Sequence, residues 1–170
     1  MVTYLSALRW AVNVEQVLQR LQKQRFALTG DTASRALPPL IPLHRHPVLP
    51  EFAWLDEIRW THPVMVPATP PKSTEIPSAR IALSGPGHDE TAQRIIELQR
   101  ALAANDRSDA PEFAPQIVIS WREATPQASS IPLPETSAFW LSVFELNSGD
   151  DPWWEYLSWN QRYCRRLRAL

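Results

Sequence analysis

The fold of this chain is decided by the stretch Pro115-Gln116-Ile117-Val118-Ile119-Ser120-Trp121. It is a short apolar run with β-branched residues that opens with proline, which is typical of a buried strand. A near copy, Pro39-Leu40-Ile41-Pro42-Leu43-His44, lies upstream at an offset of 76 residues (115 minus 39). The same offset aligns Leu5 with Ile81 in the segments that precede each helix. We therefore predict two strand–helix–strand units that face one another.

The composition limits the classes of function. The 170 residues are enough for about one domain with its own core. Because 17 basic and 18 acidic residues nearly balance, a general polyelectrolyte binder is disfavoured. With 17 prolines and only 4 glycines, the connections are expected to be rigid, and a glycine-rich phosphate loop is nearly excluded.

The expected location is cytoplasmic. A single cysteine, Cys164, excludes an internal disulfide and fits a reducing compartment. No apolar run approaches the ~20 residues of a membrane span, and Arg9 interrupts the only segment that resembles a signal peptide. We therefore expect neither a membrane anchor nor a secretion signal.

Hydrophobic periodicity and turn residues predict the elements between these strands. The closing hairpin is expected to turn at Asn147-Ser148-Gly149-Asp150. The predicted elements are a strand over Val2 to Ala11, a helix capped by Asn13 and stopped by Gly30, short strands near Trp54 to Trp60 and Pro63 to Val66, an exposed proline-rich loop from Pro67 to Pro77, a strand over Ala79 to Leu83, a second helix capped by His88 or Asp89, and closing strands over Phe139 to Leu146 and Trp154 to Tyr163.

The repeated order of strand, helix and proline-opened motif strand resembles the 2H phosphoesterase superfamily. Its members are the LigT-like 2′-5′ RNA ligases and cyclic nucleotide phosphodiesterases, and their hallmark is two His-x-Thr/Ser tripeptides, one from each lobe. The resemblance places residues 37–43 on the first motif and 113–119 on the second. It implies a bilobal α+β fold with antiparallel sheets and a pseudo-two-fold axis. The chain would be a single LigT-like domain over 1–170, with a first unit at about 1–46, a second at about 78–122 and closing strands at about 138–163.

The motif positions depart from the family. Leu40 and Gln116 hold the two histidine positions, and Pro42 and Val118 hold the two hydroxyl positions. In the family one histidine is the general base, the other is the general acid, and the hydroxyls bond the phosphate. Neither leucine nor glutamine exchanges a proton near neutral pH. We therefore expect Leu40 and Gln116 to face each other in a site that lacks the family activity, and we expect no cofactor.

Four polar residues farther along the motif strands are candidates for binding in the cleft. Because strand side chains alternate, His44 and His46 share a face with Leu40, and Ser120 and Arg122 follow the second motif in the same way. Such a set would suit a phosphate or a carboxylate. The alternative is that the histidines lie at a strand end, solvated or bonded to loop backbone.

The sequence predicts no metal site. His44-Arg45-His46 has the His-x-His pattern of some zinc ligands, but a tetrahedral site needs further donors. His62, His88 and Cys164 show no supporting spacing.

Eight tryptophans raise the question of stacking on single-stranded RNA. Most are expected to pack against the sheet or the helices instead. Because Trp153 and Trp154 are adjacent, at least one is expected to be exposed and to mark a contact with another protein. The cluster from Arg162 to Arg168 is either a solvated tail or an RNA contact. The tryptophans expected to pack are Trp10, Trp54, Trp60, Trp121 and Trp140.

Three functional interpretations follow. The first is a catalytically degenerate 2H phosphoesterase-like protein that serves as a binding or interaction module, and it is more plausibly a non-enzyme. The second is a phosphoesterase that acts on cyclic nucleotides or RNA ends with relocated residues such as His44 or His46. The third is a protein-interaction subunit with a vestigial groove. An open polar groove would favour the first two, and a groove filled with side chains would favour the third.

Overall fold

The chain has a mixed α+β fold with antiparallel sheets, as the sequence predicts. In the computed structural model, residues 1–10, 12–59, 76–83, 89–108, 110–122, 138–149 and 152–168 are described. No helix in these ranges is both long enough and apolar enough to cross a bilayer. The elements are β1 (Val2–Trp10), α1 (Val12–Thr29), a 3-10 helix (Thr32–Arg35), β2 (Ile41–His46), α2 (Phe52–Glu57), β3 (Arg80–Ala82), α3 (Asp89–Asn105), β4 (Gln116–Val118), β5 (Ala138–Asn147) and β6 (Ser158–Arg168).

The described strands form two antiparallel sheets. One has four strands in the order β2-β1-β5-β6, and the other pairs β3 with β4. The sheets meet where Leu40, just before β2, forms an isolated antiparallel bridge with Val118 of β4. The two motif strands therefore lie side by side at the junction of the sheets.

Apolar side chains line both faces of the central strand β1. Leu8 and Trp10 belong to a large buried cluster that also includes apolar residues of α1 and α3. Leu5 and Ala7 belong to a second buried cluster, which contains Leu40 and Val118. This two-sided burial explains why β1 is largely apolar on both faces.

The two long helices end in the same way. Gly30 follows α1 with a φ of +69°, and Arg107 follows α3 with a φ of +59°. Glycine reaches this left-handed region without steric cost, whereas an L side chain such as that of Arg107 costs roughly 1 kcal/mol there. The two residues are 77 apart (107 minus 30), and so are the first residues of the two helices (89 minus 12).

The sequence offset does not extend to the pairing of the leading strands. Ile117 pairs with Ile81, but its counterpart Ile41 pairs with Leu8 rather than with Leu5. All nine residues of β1 also pair with β5 on its other side, and a bulge interrupts the β1–β2 ladder between Ser6 and Ala7. The position of β1 is therefore set by two neighbours, whereas β3 has one described partner.

Two predicted strands need correction. The segment near Trp54 forms the short helix α2, because Leu55 is fully buried and the backbone closes a turn between Glu51 and Leu55. β6 begins at Ser158, so Trp154 lies in the turn that precedes it and the β5–β6 connection is longer than a four-residue turn. The strand predicted over 63–66, most of the loop predicted over 67–77, and Trp60, His62 and His88 lie outside the described residues.

Candidate functional site

The degenerate motif positions lie in a closed contact between the two strand–helix–strand units, which we call the seam. It comprises residues 40–42 and 116–118. The backbone N–H of Val118 donates to the carbonyl oxygen of Leu40 at 2.8 Å. Leu40 is 0% exposed and Val118 is 1% exposed. A side chain that would have to reach a substrate in this family is here part of the core.

Leu40 lies opposite Val118 and not opposite Gln116, as had been expected. The reason is geometric: the two motifs meet antiparallel, so the first position of one motif falls beside the third position of the other. Gln116 is half-buried and pairs with Ala82 within its own sheet. Pro42 is buried as well.

Apolar side chains fill the space around the seam. The second buried cluster surrounds Leu40 and Val118 with residues from β1, β5 and the segments that flank the motifs. The seam therefore offers a phosphate neither a cation nor a proton donor. The surrounding members are Leu5, Ala7, Ala33, Leu37, Trp121, Phe144 and Leu146.

A buried polar cluster lies at the far end of β2. The Nδ1 of His46 is 2.6 Å from Oδ2 of Asp106, and the Nε2 of His44 is 3.2 Å from the same oxygen. The other ring nitrogen of His46, Nε2, is 2.7 Å from the hydroxyl of Ser6 on β1. Asp106 lies in the turn that ends α3, so the cluster ties β1 and β2 to the second helix.

Burial favours the neutral form of His46. Its side chain is fully buried, and desolvation lowers its pKa below the ordinary 6.5, although Asp106 raises it and His44 lowers it further. A carboxylate only accepts hydrogen bonds, so the Nδ1–H of a neutral His46 donates to Asp106. The Nε2 atom then accepts from the hydroxyl of Ser6.

A second buried polar cluster lies at the far end of the second motif strand. Asp31, which is 1% exposed, accepts from Nε of Arg25 at 2.6 Å and from the hydroxyl of Ser120 at 2.8 Å. It also accepts from the backbone N–H of Ala33 at 3.1 Å, and Arg122 lies 3.7 Å away. Asp31 thereby connects the first helix to the strand of the second unit.

The pKa of Asp31 lies below its ordinary value of 3.8. Burial by itself raises this pKa, but hydrogen bonds from Arg25 and Ser120 and the charges of Arg25 and Arg122 lower it by more. Asp31 is therefore a buried carboxylate that is stable only because its partners are in place.

The two helices also reach across the seam in a reciprocal way. The amide Nε2 of Gln22 on α1 donates to the carbonyl of Ile119 at 3.1 Å, and that of Gln99 on α3 donates to the carbonyl of Pro42 at 3.0 Å. The donors are 77 residues apart (99 minus 22), as are the acceptors (119 minus 42). Each helix therefore bonds the motif strand of the other unit.

The acids that follow the helices repeat this reciprocity. Asp31 bonds Ser120, and Asp106 bonds His44. The strand partners are 76 residues apart (120 minus 44), and the acids are 75 apart (106 minus 31). Two kinds of cross-seam contact thus occur in both units at nearly the same offset.

The four residues predicted to bind in a cleft divide between these clusters. His44, His46 and Ser120 are buried and bonded to protein groups, so they do not line an open groove. Arg122 is the exception, since its side chain is 60% exposed. The sequence interpretation missed Asp31 and Asp106, although each acid comes just after a predicted helix, where the chain returns towards a motif strand.

Trp153 and Trp154 are both half-buried, and Trp153 packs edge-on against Trp121 with ring centres 4.9 Å apart. The exposed aromatic residues of this region are instead Tyr156, at 80%, and Trp159, at 40%. The expected contact patch at the adjacent tryptophans is therefore displaced towards the start of β6. Of the tryptophans expected to pack, Trp10 and Trp121 are buried and Trp54 and Trp140 are half-buried.

A pocket of about 360 Å³ lies between α1, the 3-10 helix and Trp159. Arg9, Lys23 and Arg35 contribute cations to its lining. Arg9 is paired with Glu15, which also lines the pocket, so the positive charge there is partly compensated.

Comparison of the chain with protein-family models, with curated proteins and with solved structures gave no match.

Replacement of Leu40 by histidine tests whether the seam is core. An imidazole at this fully buried position has no partner, so Leu40→His should lower the free energy of unfolding by about 2 to 4 kcal/mol. Leu40→Met keeps the volume and should cost less than about 1.5 kcal/mol. Urea unfolding monitored by tryptophan fluorescence measures both. Equal stability of the histidine variant and the wild type would mean that the seam is open.

Replacement of Asp31 by asparagine tests the second polar cluster. A carboxyl group with a lowered folded-state pKa stabilises the fold above its unfolded pKa, and this contribution is lost as the pH falls through the folded value. Asp31→Asn should therefore cost on the order of 3 kcal/mol at pH 7, and the difference should shrink below about pH 4. Asp56→Asn, at a carboxylate that is 60% exposed, is the control. A cost that does not change with pH would contradict the assignment.

Proposed function

We propose that this chain is a catalytically degenerate relative of the 2H phosphoesterases that works as a protein-interaction module. The observation that carries the proposal is the closed seam. Leu40 and Val118 occupy a family histidine position and a family hydroxyl position, and they contact each other inside the core. A closed seam favours the vestigial-groove interpretation over a ligand-binding cleft.

The internal repetition supports the LigT-like part of the proposal. The helix starts, the left-handed helix ends and the cross-seam glutamine bonds all recur at an offset of 77. Two such units in antiparallel contact at their motif strands give the arrangement expected of a bilobal fold with a pseudo-two-fold axis. The shifted pairing of β1 is where this chain departs from symmetry.

An enzyme with relocated residues is less well supported. Ser6, His46 and Asp106 form a chain of hydrogen bonds in the order nucleophile, base and acid. However, the side chains of Ser6 and His46 are fully buried, so a substrate cannot reach the hydroxyl. Accordingly, we assign this chain of bonds a structural role.

The edge strand β6 is the best-supported contact surface. It is 11 residues long, and among the described strands only β5 pairs with it. Its unpaired backbone groups are a template for an added strand. Arg162 and Arg166 are exposed along it, and Trp159 and Tyr156 are exposed near its start. The partner that matches this surface is an extended acidic polypeptide segment.

The absence of family chemistry is tested with purified protein. We expect no hydrolysis of 2′,3′-cyclic nucleotides and no joining of RNA ends, because the missing acid and base each typically contribute 10²–10⁴-fold. Activity should be measured for the wild type and for a variant with both His44→Ala and His46→Ala. Turnover by the wild type that this double variant loses would contradict the proposal and support the relocated enzyme.

Strand addition at β6 is tested with designed peptides. A peptide of alternating valine and glutamate should bind, and its lysine counterpart should not. Arg162→Glu with Arg166→Glu should weaken binding by about tenfold or more, since each rim charge contributes up to about 1 kcal/mol. Arg20→Glu with Arg100→Glu, on the exposed surfaces of α1 and α3, makes the same change in net charge and is the matched control.

Calorimetric titration gives the affinities, and hydrogen exchange locates the peptide. Bound peptide should slow the exchange of β6 amides that do not bond β5. Failure of the glutamate peptide to bind, or equal weakening by the two charge-reversed pairs, would contradict strand addition at this edge.

A further inference from the structure

We propose that His44, His46 and Asp106 form a binding site for a zinc-like divalent cation. The three side chains each offer one ligand atom, and these atoms all lie within 4.8 Å of one another. Two imidazole nitrogens with one carboxylate oxygen are a donor set that suits zinc and other borderline metals better than calcium or magnesium. The site goes beyond the interaction role proposed above, because it lies away from the β6 edge.

The three donors converge on one point. Both rings approach the same oxygen of Asp106, at 2.6 Å and 3.2 Å, although a carboxylate offers two oxygens to two hydrogen-bond donors. The two rings are nearly perpendicular, at 85°, with centres 4.7 Å apart. Such convergence of nitrogen and oxygen atoms from β2 and the turn after α3 is what a chelating site requires.

Hydrogen bonding alone leaves this cluster incomplete. His44 is 4% exposed, and its Nδ1 atom is buried without a partner in the described part of the chain. A buried polar atom without a partner is uncommon in folded proteins and often marks a site for a ligand, an ion or a water molecule. A cation at the cluster, with a water molecule as its fourth ligand, would give this region further polar partners.

The surroundings of His46 fit the role of a ligand. Its Nε2 atom lies 2.7 Å from the hydroxyl of Ser6. When Nδ1 binds a metal, Nε2 carries the proton, and a serine hydroxyl can accept from it as readily as it donates. Histidine ligands in metal sites almost always donate their second ring N–H in this way, which fixes the ring orientation.

The spacing needs only a small adjustment. Tetrahedral zinc with bonds of about 2.05 Å separates its ligand atoms by about 3.4 Å. The 3.2 Å separation of His44 and Asp106 is already close to this, and the 2.6 Å separation of His46 and Asp106 must open by somewhat under 1 Å. Asp106 lies in a turn, and its side chain is 12% exposed, so it has a route to move and a side open to water.

A bound cation would link the two units. His44 and His46 belong to the strand of the first unit, and Asp106 follows the helix of the second. Three protein ligands with one open position also resemble the ligand count of catalytic zinc sites. The burial of both histidines favours a structural role here.

The test uses the full chain after removal of metal with a chelator. Cobalt(II) is titrated while visible absorption is recorded, and zinc is then added as a competitor. We expect one equivalent to bind with the absorption of a tetrahedral site. Zinc at a hundredfold excess over its Kd should raise the Tm by roughly 5 °C. No binding by the wild type would overturn the proposal and leave a network of hydrogen bonds only.

Variants locate the site. His44→Gln, His46→Gln and Asp106→Asn should each abolish stoichiometric binding, and Ser6→Ala should weaken it by roughly 10- to 100-fold. Glu112→Gln, at an exposed carboxylate paired with the neighbouring Arg45, is the control and should bind as the wild type does. Binding that survives any of the three ligand substitutions would place the metal elsewhere. The wild-type titration decides the question even if a histidine variant does not fold.

Discussion

One contact controls the rest of this structure: the bond from the backbone N–H of Val118 to the carbonyl of Leu40, with both side chains in the core. It brings two strand–helix–strand units together through their motif strands. A buried backbone group has to be paired, and these two groups pair with each other. The seam can close in this way because apolar residues occupy the positions where the resembling family has histidine and a hydroxyl.

Polar bridges on either side give the closed seam its alignment. Each helix places a glutamine amide on the opposite motif strand, and each helix is followed by an acid that bonds the opposite strand farther along. Buried polar groups of this kind are costly when unpaired, so a slipped alignment of the two units would leave several of them without partners. The apolar contact thus provides attraction, and the bridges specify one arrangement.

Much of the fold could be predicted from local sequence signals. The two motif strands have apolar β-branched runs, Gly30 marks the end of α1, and the apolar alternation of β1 reflects burial on both faces. The segment near Trp54 could not be assigned, because a six-residue helix and a short strand differ little in apolar pattern. The register of β1 was equally inaccessible, since β5 fixes it from a distance of more than 130 residues in the chain.

The candidate sites were harder to predict. His44 and Ser120 were identified from strand alternation, but the same rule cannot say whether a polar side chain faces a groove or a buried acid. The deciding residues, Asp31 and Asp106, lie in turns, where no periodicity operates. The metal-type cluster depends on Asp106, which is 60 residues from His46, so no motif spacing indicates it.

Native-state hydrogen exchange at the amide of Val118 tests the closed seam most directly. If the seam is part of the core, this amide exchanges only when the whole protein unfolds, and its exchange free energy equals the global free energy of unfolding from denaturant titration. An exchange free energy several kcal/mol lower, similar to that of the outward amides of β6, would show that the seam opens locally and would contradict the account.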